Sequence, residues 1–439
     1  MKQKLIIRNV SWQTVVLYML YGIAFVNFIL GGQNDLCGLL MAGLFFLLVF
    51  KREFLCTLPL VFVANDALST VIAGQISFYW LTIFLIFVRV FFSRKAEKLP
   101  LNVLLTFVVF MLYAMNYCLF QANDFRIAAQ LFMYGITITY IYSQIESGNW
   151  TWQDFFKWFG VAVIMAAVHM VVFGGVEYTS FTYEDGASGY VSLVRYGLIG
   201  AGNGDPNFSS LRLLSGLICV FYALRSKIVK AFGILVITAA LVKTLSVTGL
   251  LGLIMVVVML VLLKRGIQSK IKISVLLICL LLVAVNVLLA LPKEMLPDQV
   301  ATMQYRVATK LEEYYMGNIE KATSGRAHAA LDNIGYALTR NPIKWMIGGD
   351  AIPPRGIDLA HNTYADILVR YGLLGFLLIT GRIVFVLWKL LREEFVENYH
   401  ETGICLLQLK LLYLFFSFGL SIYTGEEAIL WILFLIVLY

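Results

Sequence analysis

LRLLSGLICVFYALRSKIVKAFGILVITAALVKTLSVTGLLGLIMVVVMLVLLKR, residues 211–265, is three apolar blocks in succession, broken at Arg225-Ser226-Lys227 and again near Val247. Each block far exceeds the usual strand length, and none alternates polar with apolar residues, so each reads as a helix. The pattern extends outward over the 439-residue chain. About fourteen stretches are long and apolar enough to cross a bilayer core of about 30 Å or nearly so. They lie near 11–30, 36–50, 54–72, 75–92, 101–120, 126–145, 155–174, 207–224, 230–246, 248–263, 273–291, 372–391, 404–421 and 425–439. The second, ninth, tenth and last are short, so a count of 12–14 is predicted.

Composition agrees with this pattern. Hydrophobic residues make up 60% of the chain and charged residues 14%, where soluble domains have about 45–50% and about 25%. That excludes a soluble enzyme, and the long blocks exclude an outer-membrane barrel. The expected fold is an all-α polytopic membrane protein forming a single integral membrane domain over 1–439. The net charge of +8 does not point to nucleic acid, because Lys and Arg gather in alternate links between spans. These are Lys2, Lys4 and Arg8; Lys51 and Arg52; Arg94, Lys95 and Lys98; Arg225, Lys227 and Lys230; Lys264, Arg265, Lys270 and Lys272; and Lys389 and Arg392. The positive-inside rule then makes both termini cytoplasmic, with the basic MKQKLIIRNVSW as the flank of a retained first helix. Cys37, Cys56, Cys118, Cys219, Cys279 and Cys405 lie in apolar stretches without CxxC spacing, against disulfides and a thiolate metal site.

This orientation puts two long polar segments, 175–206 and 292–371, on the extracytoplasmic face, where function is to be sought. The second contains three amphipathic stretches predicted to be short surface helices. One runs over about 299–318. One opens at Ser324-Gly325-Arg326, presents Ala327, Ala330, Leu331, Ile334 and Leu338 on one face, and stops at Asn341-Pro342. The last opens at His361-Asn362, presents Tyr364, Ile367, Leu368 and Tyr371, and ends at Gly372.

These loops hold Arg195, Arg306, Arg326, Arg340, Arg355 and Arg370, with Arg212 inside the following helix. Such an excess on the outer side fits an anionic head group such as a lipid pyrophosphate, because the guanidinium fork matches phosphate oxygens. The plainer reading pairs them with Glu312, Glu313, Asp332, Asp350, Asp358 and Asp366. Arg326 is favoured as a ligand residue because it opens a helix whose N–H groups also face an anion. His361, also at a helix start, is the candidate general base for a sugar hydroxyl, since the positive end of a helix dipole disfavours imidazolium. His328 is the nearest rival, with His169 and His400 behind it. No HxxxH, HExxH, GxGxxG or Walker pattern occurs, so neither a catalytic metal nor a cofactor is expected.

The run SGRAHAALDNIGYALTRNPIKWMIGGD from Ser324, followed by LAHNTYADILVRYGLLGF, resembles the signature of the bacterial O-antigen polymerase (Wzy) and O-antigen ligase superfamily. Its markers here are Gly325-Arg326, Asn341-Pro342 with Gly348-Gly349, His361-Asn362, and Gly372 with Gly375. RYGLIGAGNGDPNFSS, from Arg195 to beyond Asn207, is similar to the family's Arg and Pro-Asn segment. TLSVTGLLG resembles its Ser-Arg-x-Gly turn, with Val247 where arginine is usual. Lys243, four residues earlier and expected on the same helical face, is the candidate replacement.

The resemblance implies a GT-C-like, metal-independent inverting glycosyltransferase of the bacterial inner membrane, acting on undecaprenyl-pyrophosphate-linked oligosaccharide. It implies that Arg195 and Arg326 hold the pyrophosphate and that His361 accepts the acceptor hydroxyl's proton. Arg212 and Lys243 are the further candidate cations, and Asn207, Ser246, Asn362 and Tyr364 the supporting residues. The leading expectation is a polysaccharide polymerase working beside a flippase and a chain-length regulator. The rivals are an O-antigen ligase and a lipid-linked oligosaccharide transporter. Arg382 and Lys410 are intramembrane charges without an assigned role; Arg382 is expected to line the groove or pair with a neighbour, and Lys410 to snorkel inward.

Overall fold

The computed structural model describes residues 53–63, 78–92, 101–120, 125–185, 189–198, 204–262, 298–349, 361–396, 401–422 and 427–436, with isolated positions between them. Most of the predicted spans near 11–30, 36–50 and 273–291 lie outside the described residues, as do Asp350, Arg355, Asp358 and His400. In chain order the elements are α1 (Glu53–Val63), α2 (Phe78–Phe92), α3 (Leu101–Phe120), α4 (Phe125–Glu146), α5 (Trp152–Phe173), β1 (Val176–Asp185), β2 (Gly189–Gly197), α6 (Pro206–Ala223), α7 (Lys227–Lys243) and α8 (Val247–Leu262). There follow α9 (Asp298–Tyr315), α10 (Ile319–Ala322), α11 (Arg326–Leu338), α12 (Pro342–Ile347), α13 (Thr363–Val396), α14 (Glu401–Ser417) and α15 (Glu427–Trp431), which continues as a π-helical turn over Ile432–Ile436. Two stretches, Trp152–Phe173 and Thr363–Arg392, are long and apolar enough to cross a membrane by length and composition. Leu81–Phe92, Leu104–Asn116, Val247–Leu260 and Glu427–Ile436 are shorter apolar helices.

Local chemistry sets several helix starts. Thr151 accepts from the Asp154 amide at 3.0 Å to open α5. Asp205 accepts from the Asn207 amide at 2.6 Å, with Pro206 in the first turn of α6. Ser226 caps α7, and Asn362 accepts from the Tyr364 and Ala365 amides at 3.0 and 3.1 Å to open α13. Each cap supplies an acceptor to N–H groups that have no partner within the helix.

Helix α6 is the centre of the bundle, packed against α5, α7, α8 and α14, and nearly all of it is buried. Its crossing with α5 is close: a Cβ on Gly216 would lie 2.3 Å from Val163 Cγ1. Small residues permit that approach, and the buried hydroxyls of Ser209, Ser210 and Ser215 each bond a carbonyl four residues back in the chain.

Three expectations need correction. The segment 175–206 is not merely an irregular loop in an all-α chain. Its β1 and β2 pair antiparallel, with Thr179 opposite Arg195 and a register shift between Glu177 and Thr179. Val, Thr, Tyr and Phe fill most of β1, and Val and Tyr recur in β2, residue types that suit a pleated surface. Helix α11 does not bury its most apolar face. Ala329, Asn333 and Ala337 are buried, whereas Leu331 and Leu338 are 66% and 60% exposed. The short side chains let α11 approach α13, its packing partner. Nor does the first part of α13 lie on the surface: Thr363, Ala365, Ile367, Val369 and Tyr371 are all buried.

The predicted stop at Gly372 is a kink with φ 64° and ψ −173°, after which helix resumes. There the chain meets the end of α12: a Cβ on Gly372 would lie 2.4 Å from the Gly348 amide nitrogen, and one on Gly348 would lie 2.1 Å from the Arg370 carbonyl. Only two glycines allow backbones so near, and the Gly349 amide donates to that carbonyl at 3.2 Å.

Candidate functional site

The C-terminal ends of α7 and α14 each lead into a short turn that gathers donors from distant segments. At residues 244–246, Arg195 Nε donates to the Thr244 carbonyl at 3.4 Å, and Arg306 Nη1 donates to the Leu245 carbonyl. The Ser246 hydroxyl donates to Asn207 Oδ1 at 2.8 Å, and that oxygen also accepts from Arg195 Nη2 at 3.4 Å. At residues 418–420, Asn362 Nδ2 donates to the Phe418 carbonyl at 3.0 Å. Arg326 Nη1 donates to the Gly419 carbonyl at 3.1 Å, and the Thr363 hydroxyl donates to the Leu420 carbonyl at 2.6 Å. Carbonyls beyond a helix C-terminus carry partial negative charge and lack intrahelical partners, so they hold guanidinium groups well.

Four cations face one another here. Burial lowers the Arg195 pKa, and Arg326 lowers it further while Asp205 and Tyr178 oppose the shift. Burial, then Arg195 and Arg326, holds Arg306 down to about 10. Lys310 is lowered by burial first and then by Arg306, Arg326 and Arg195. Tyr178 is pushed up by burial and by the carboxylate and hydrogen bond of Asp205. Among the described residues, no carboxylate lies within ion-pair reach of Arg195, Arg306, Lys310 or Arg326. A guanidinium carries more N–H donors than any other side chain. Arg326 and Arg306 each engage one group, and Arg195 two.

Three of the described loop acids pair elsewhere. Glu313 pairs with Lys321 at 3.9 Å, Asp332 with His328 at 3.3 Å, and Asp366 with Arg370 at 4.0 Å. Arg340 lies over the Tyr336 ring, 4.4 Å from its centre, and donates to the Val369 carbonyl.

His361 immediately precedes Asn362, which donates to the same 418–420 turn that Arg326 grips. Its side chain is exposed and makes no hydrogen bond or ion pair among the described residues. Tyr364 packs against Phe418, ring centres 5.0 Å apart. Leu245, Ser324 and His361 are the non-glycine residues with positive φ among those described. Leu245 accepts from Arg306, Ser324 accepts from Lys310 at 2.9 Å, and His361 is the candidate base. Unfavourable backbone at all three positions ties the strain to this one region.

The structure thus brings together Arg195, Arg326, Asn207 and Ser246, with His361, Asn362 and Tyr364 at the adjoining turn. It does not bring Arg212 or Lys243 into the cationic group. Arg212 is fully buried, ion-paired with Glu427 and bonded to the Val63 carbonyl at 2.6 Å. Lys243 Nζ donates to the Met170 and Val171 carbonyls at 3.2 and 2.9 Å, closing the end of α5. Lys243 and Val247 also fail to share a helical face, because α7 ends at one and α8 begins at the other, with Leu245 at φ 48° between them. Arg306 and Lys310 are the additions. Arg306 belonged to the outer arginine excess visible in the sequence; Lys310 carried no signal beyond sitting four residues later on a helix.

The two interior charges are bound to the π-helical turn. Arg382 Nε donates to the Ile436 carbonyl at 3.2 Å, and Lys410 Nζ donates to the Phe434 carbonyl at 2.8 Å. Lys410 is fully buried, so it does not snorkel to an interface. Comparison with protein-family models, with curated protein sequences and with solved structures finds no match to this chain.

Proposed function

We propose that the chain is a polytopic protein of the bacterial cytoplasmic membrane that transfers a glycan from a lipid diphosphate to a sugar hydroxyl at the extracytoplasmic surface, as a polysaccharide polymerase does. The observation that carries this reading is the set of four cations that have, among the described residues, no carboxylate in ion-pair reach, next to an exposed imidazole that is unengaged among the same residues. A structural ion-pair network would contain its own counter-charge. This group leaves room for a multiply charged anion from outside. A membrane setting is supported by the exposed apolar faces of the helices, among them Phe91 at 73% and Leu235 at 69%, which in water would be an aggregation hazard.

In this reading the acceptor hydroxyl oxygen attacks the anomeric carbon as His361 takes its proton. The bond to the diphosphate oxygen breaks with its electron pair, and the lipid diphosphate departs with inversion at the sugar. Charge grows on that leaving group, so guanidinium donors already in position stabilise the transition state more than the ground state. A positioned general base contributes typically about 10²–10⁴ in rate. Asn362 and Thr363 hold the His361 segment to the same turn as Arg326 and keep base and leaving-group site in register.

The test is reconstitution of the purified protein with an undecaprenyl-diphosphate-linked repeat unit. A ladder of products is expected from the native chain and none from Arg326→Ala or His361→Ala, while both variants still insert and accumulate. Normal ladders from either variant would overturn the assignment. The same donor chemistry serves a ligase, and supplying lipid A core as sole acceptor separates the two. Transport gains no support from Arg382 and Lys410, whose charges are engaged by backbone carbonyls.

A further inference from the structure

We propose that Arg306 and Lys310, both on α9, form the second half of the anion site and make it selective for a diphosphate over a single phosphate. The inference rests on the donor reading above and extends it to a helix that the reading did not use.

Arg306 reaches a carbonyl 61 positions away in sequence, at the turn whose preceding carbonyl holds Arg195. Lys310 lies four residues on, on the same side of α9. Its ammonium donates to the Ala322 carbonyl at 2.8 Å and to the Ser324 hydroxyl at 2.9 Å, two residues before Arg326. The lysine therefore bridges from the Arg195–Arg306 turn to the start of α11. Two like charges at this helical spacing repel, and α9 leaves them so although Glu312 and Glu313 follow directly. Glu313 turns to Lys321 instead.

Charge balance points to the size of the anion. Asp205 is the carboxylate in the field of Arg195, whereas Arg306 and Lys310 feel the other cations of the group. A sugar–lipid diphosphate carries a charge on each phosphoryl group and gains another when the sugar leaves. A single phosphate would satisfy one turn and leave the other cations repelling one another. The α9 pair thus acts mainly on the departing diphosphate, so its loss lowers kcat more than it raises KM.

The experiment titrates inorganic pyrophosphate and, separately, inorganic phosphate into the full-length protein in lipid nanodiscs by calorimetry. Native protein is expected to bind pyrophosphate at least about tenfold more tightly. Arg306→Gln keeps an N–H donor for the Leu245 carbonyl but removes the charge. It should weaken pyrophosphate about tenfold and phosphate far less, with Arg306→Lys recovering part of the loss. Lys310→Gln, which keeps an N–H donor for the Ala322 carbonyl, should show a smaller loss in the same direction and carries the test if Arg306→Gln does not fold. Pyrophosphate affinity unchanged in both Gln variants overturns the proposal. If Arg326→Ala alone abolishes binding, α9 is excluded and the donor reading stands. If native protein shows no preference for pyrophosphate, the donor reading falls as well.

Discussion

Asn207 serves two residues through one side-chain oxygen, holding the Arg195 guanidinium and the Ser246 hydroxyl together at the start of α6. Asn207→Leu leaves both buried donors without that acceptor and should cost about 1–3 kcal/mol, measured by thermal unfolding in detergent, together with reduced chain extension. Arg212 belongs to a different category. Removing one partner of a buried pair strands the other charge, so Arg212→Met should destabilise by about 3–5 kcal/mol. The double variant Arg212→Met with Glu427→Leu should recover much of that loss. Lys243→Ala should leave pyrophosphate affinity unchanged and cost about 0.3–1 kcal/mol by uncapping α5. Weakened anion binding in Lys243→Ala, with the fold intact, would restore that residue to the site.

At the scale of elements, the approach of α12 to the kink in α13 explains why the Gly348-Gly349 pair and Gly372 stand so far apart in sequence. A side chain at Gly372 meets the Gly348 amide and the Met346 carbonyl, in a backbone conformation that already disfavours one. Gly372→Ala should therefore cost about 1–3 kcal/mol from conformation alone, and more from the clash. The expected readout is a lowered unfolding temperature, with product lost before protein, because the His361 turn is attached to the same short helix. The exposed Leu331 and Leu338 of α11 make sense beside this packing. The helix turns Ala329, Asn333 and Ala337 inward and leaves Leu331 and Leu338 exposed.

For the molecule as a whole, burying like charges together makes the empty site a source of instability that an anion relieves. Pyrophosphate should raise the unfolding temperature, and the gain should shrink with ionic strength. The pH dependence follows from Lys310, which Arg306, Arg326 and Arg195 face and which burial also disfavours as a cation. Its folded value lies below its unfolded one, so the charged form is penalised in the empty protein. Stability without anion should rise as pH climbs through the depressed value. Pyrophosphate affinity should run the other way, full at lower pH and falling at a pH below that of a free lysine. Affinity that is flat until ordinary lysine titration would separate Lys310 from the ligand.

The helical blocks, the helix start at His361-Asn362, the break at Gly372 and the placing of Arg326 at a helix start were all legible in the chain. Each depends on forces acting within a turn or two: apolar periodicity, a side-chain acceptor for an unpaired amide, a glycine where backbone must turn. The fate of each charge was not legible in this way. Glu427 rather than phosphate meets Arg212 across 215 residues, the Leu245 carbonyl draws in Arg306 across 61, and Met170 and Val171 claim Lys243. Such pairings depend on which helix ends close on one another, and the packing of small residues along α5, α6 and α13 sets that geometry without leaving a local mark beside the charges themselves.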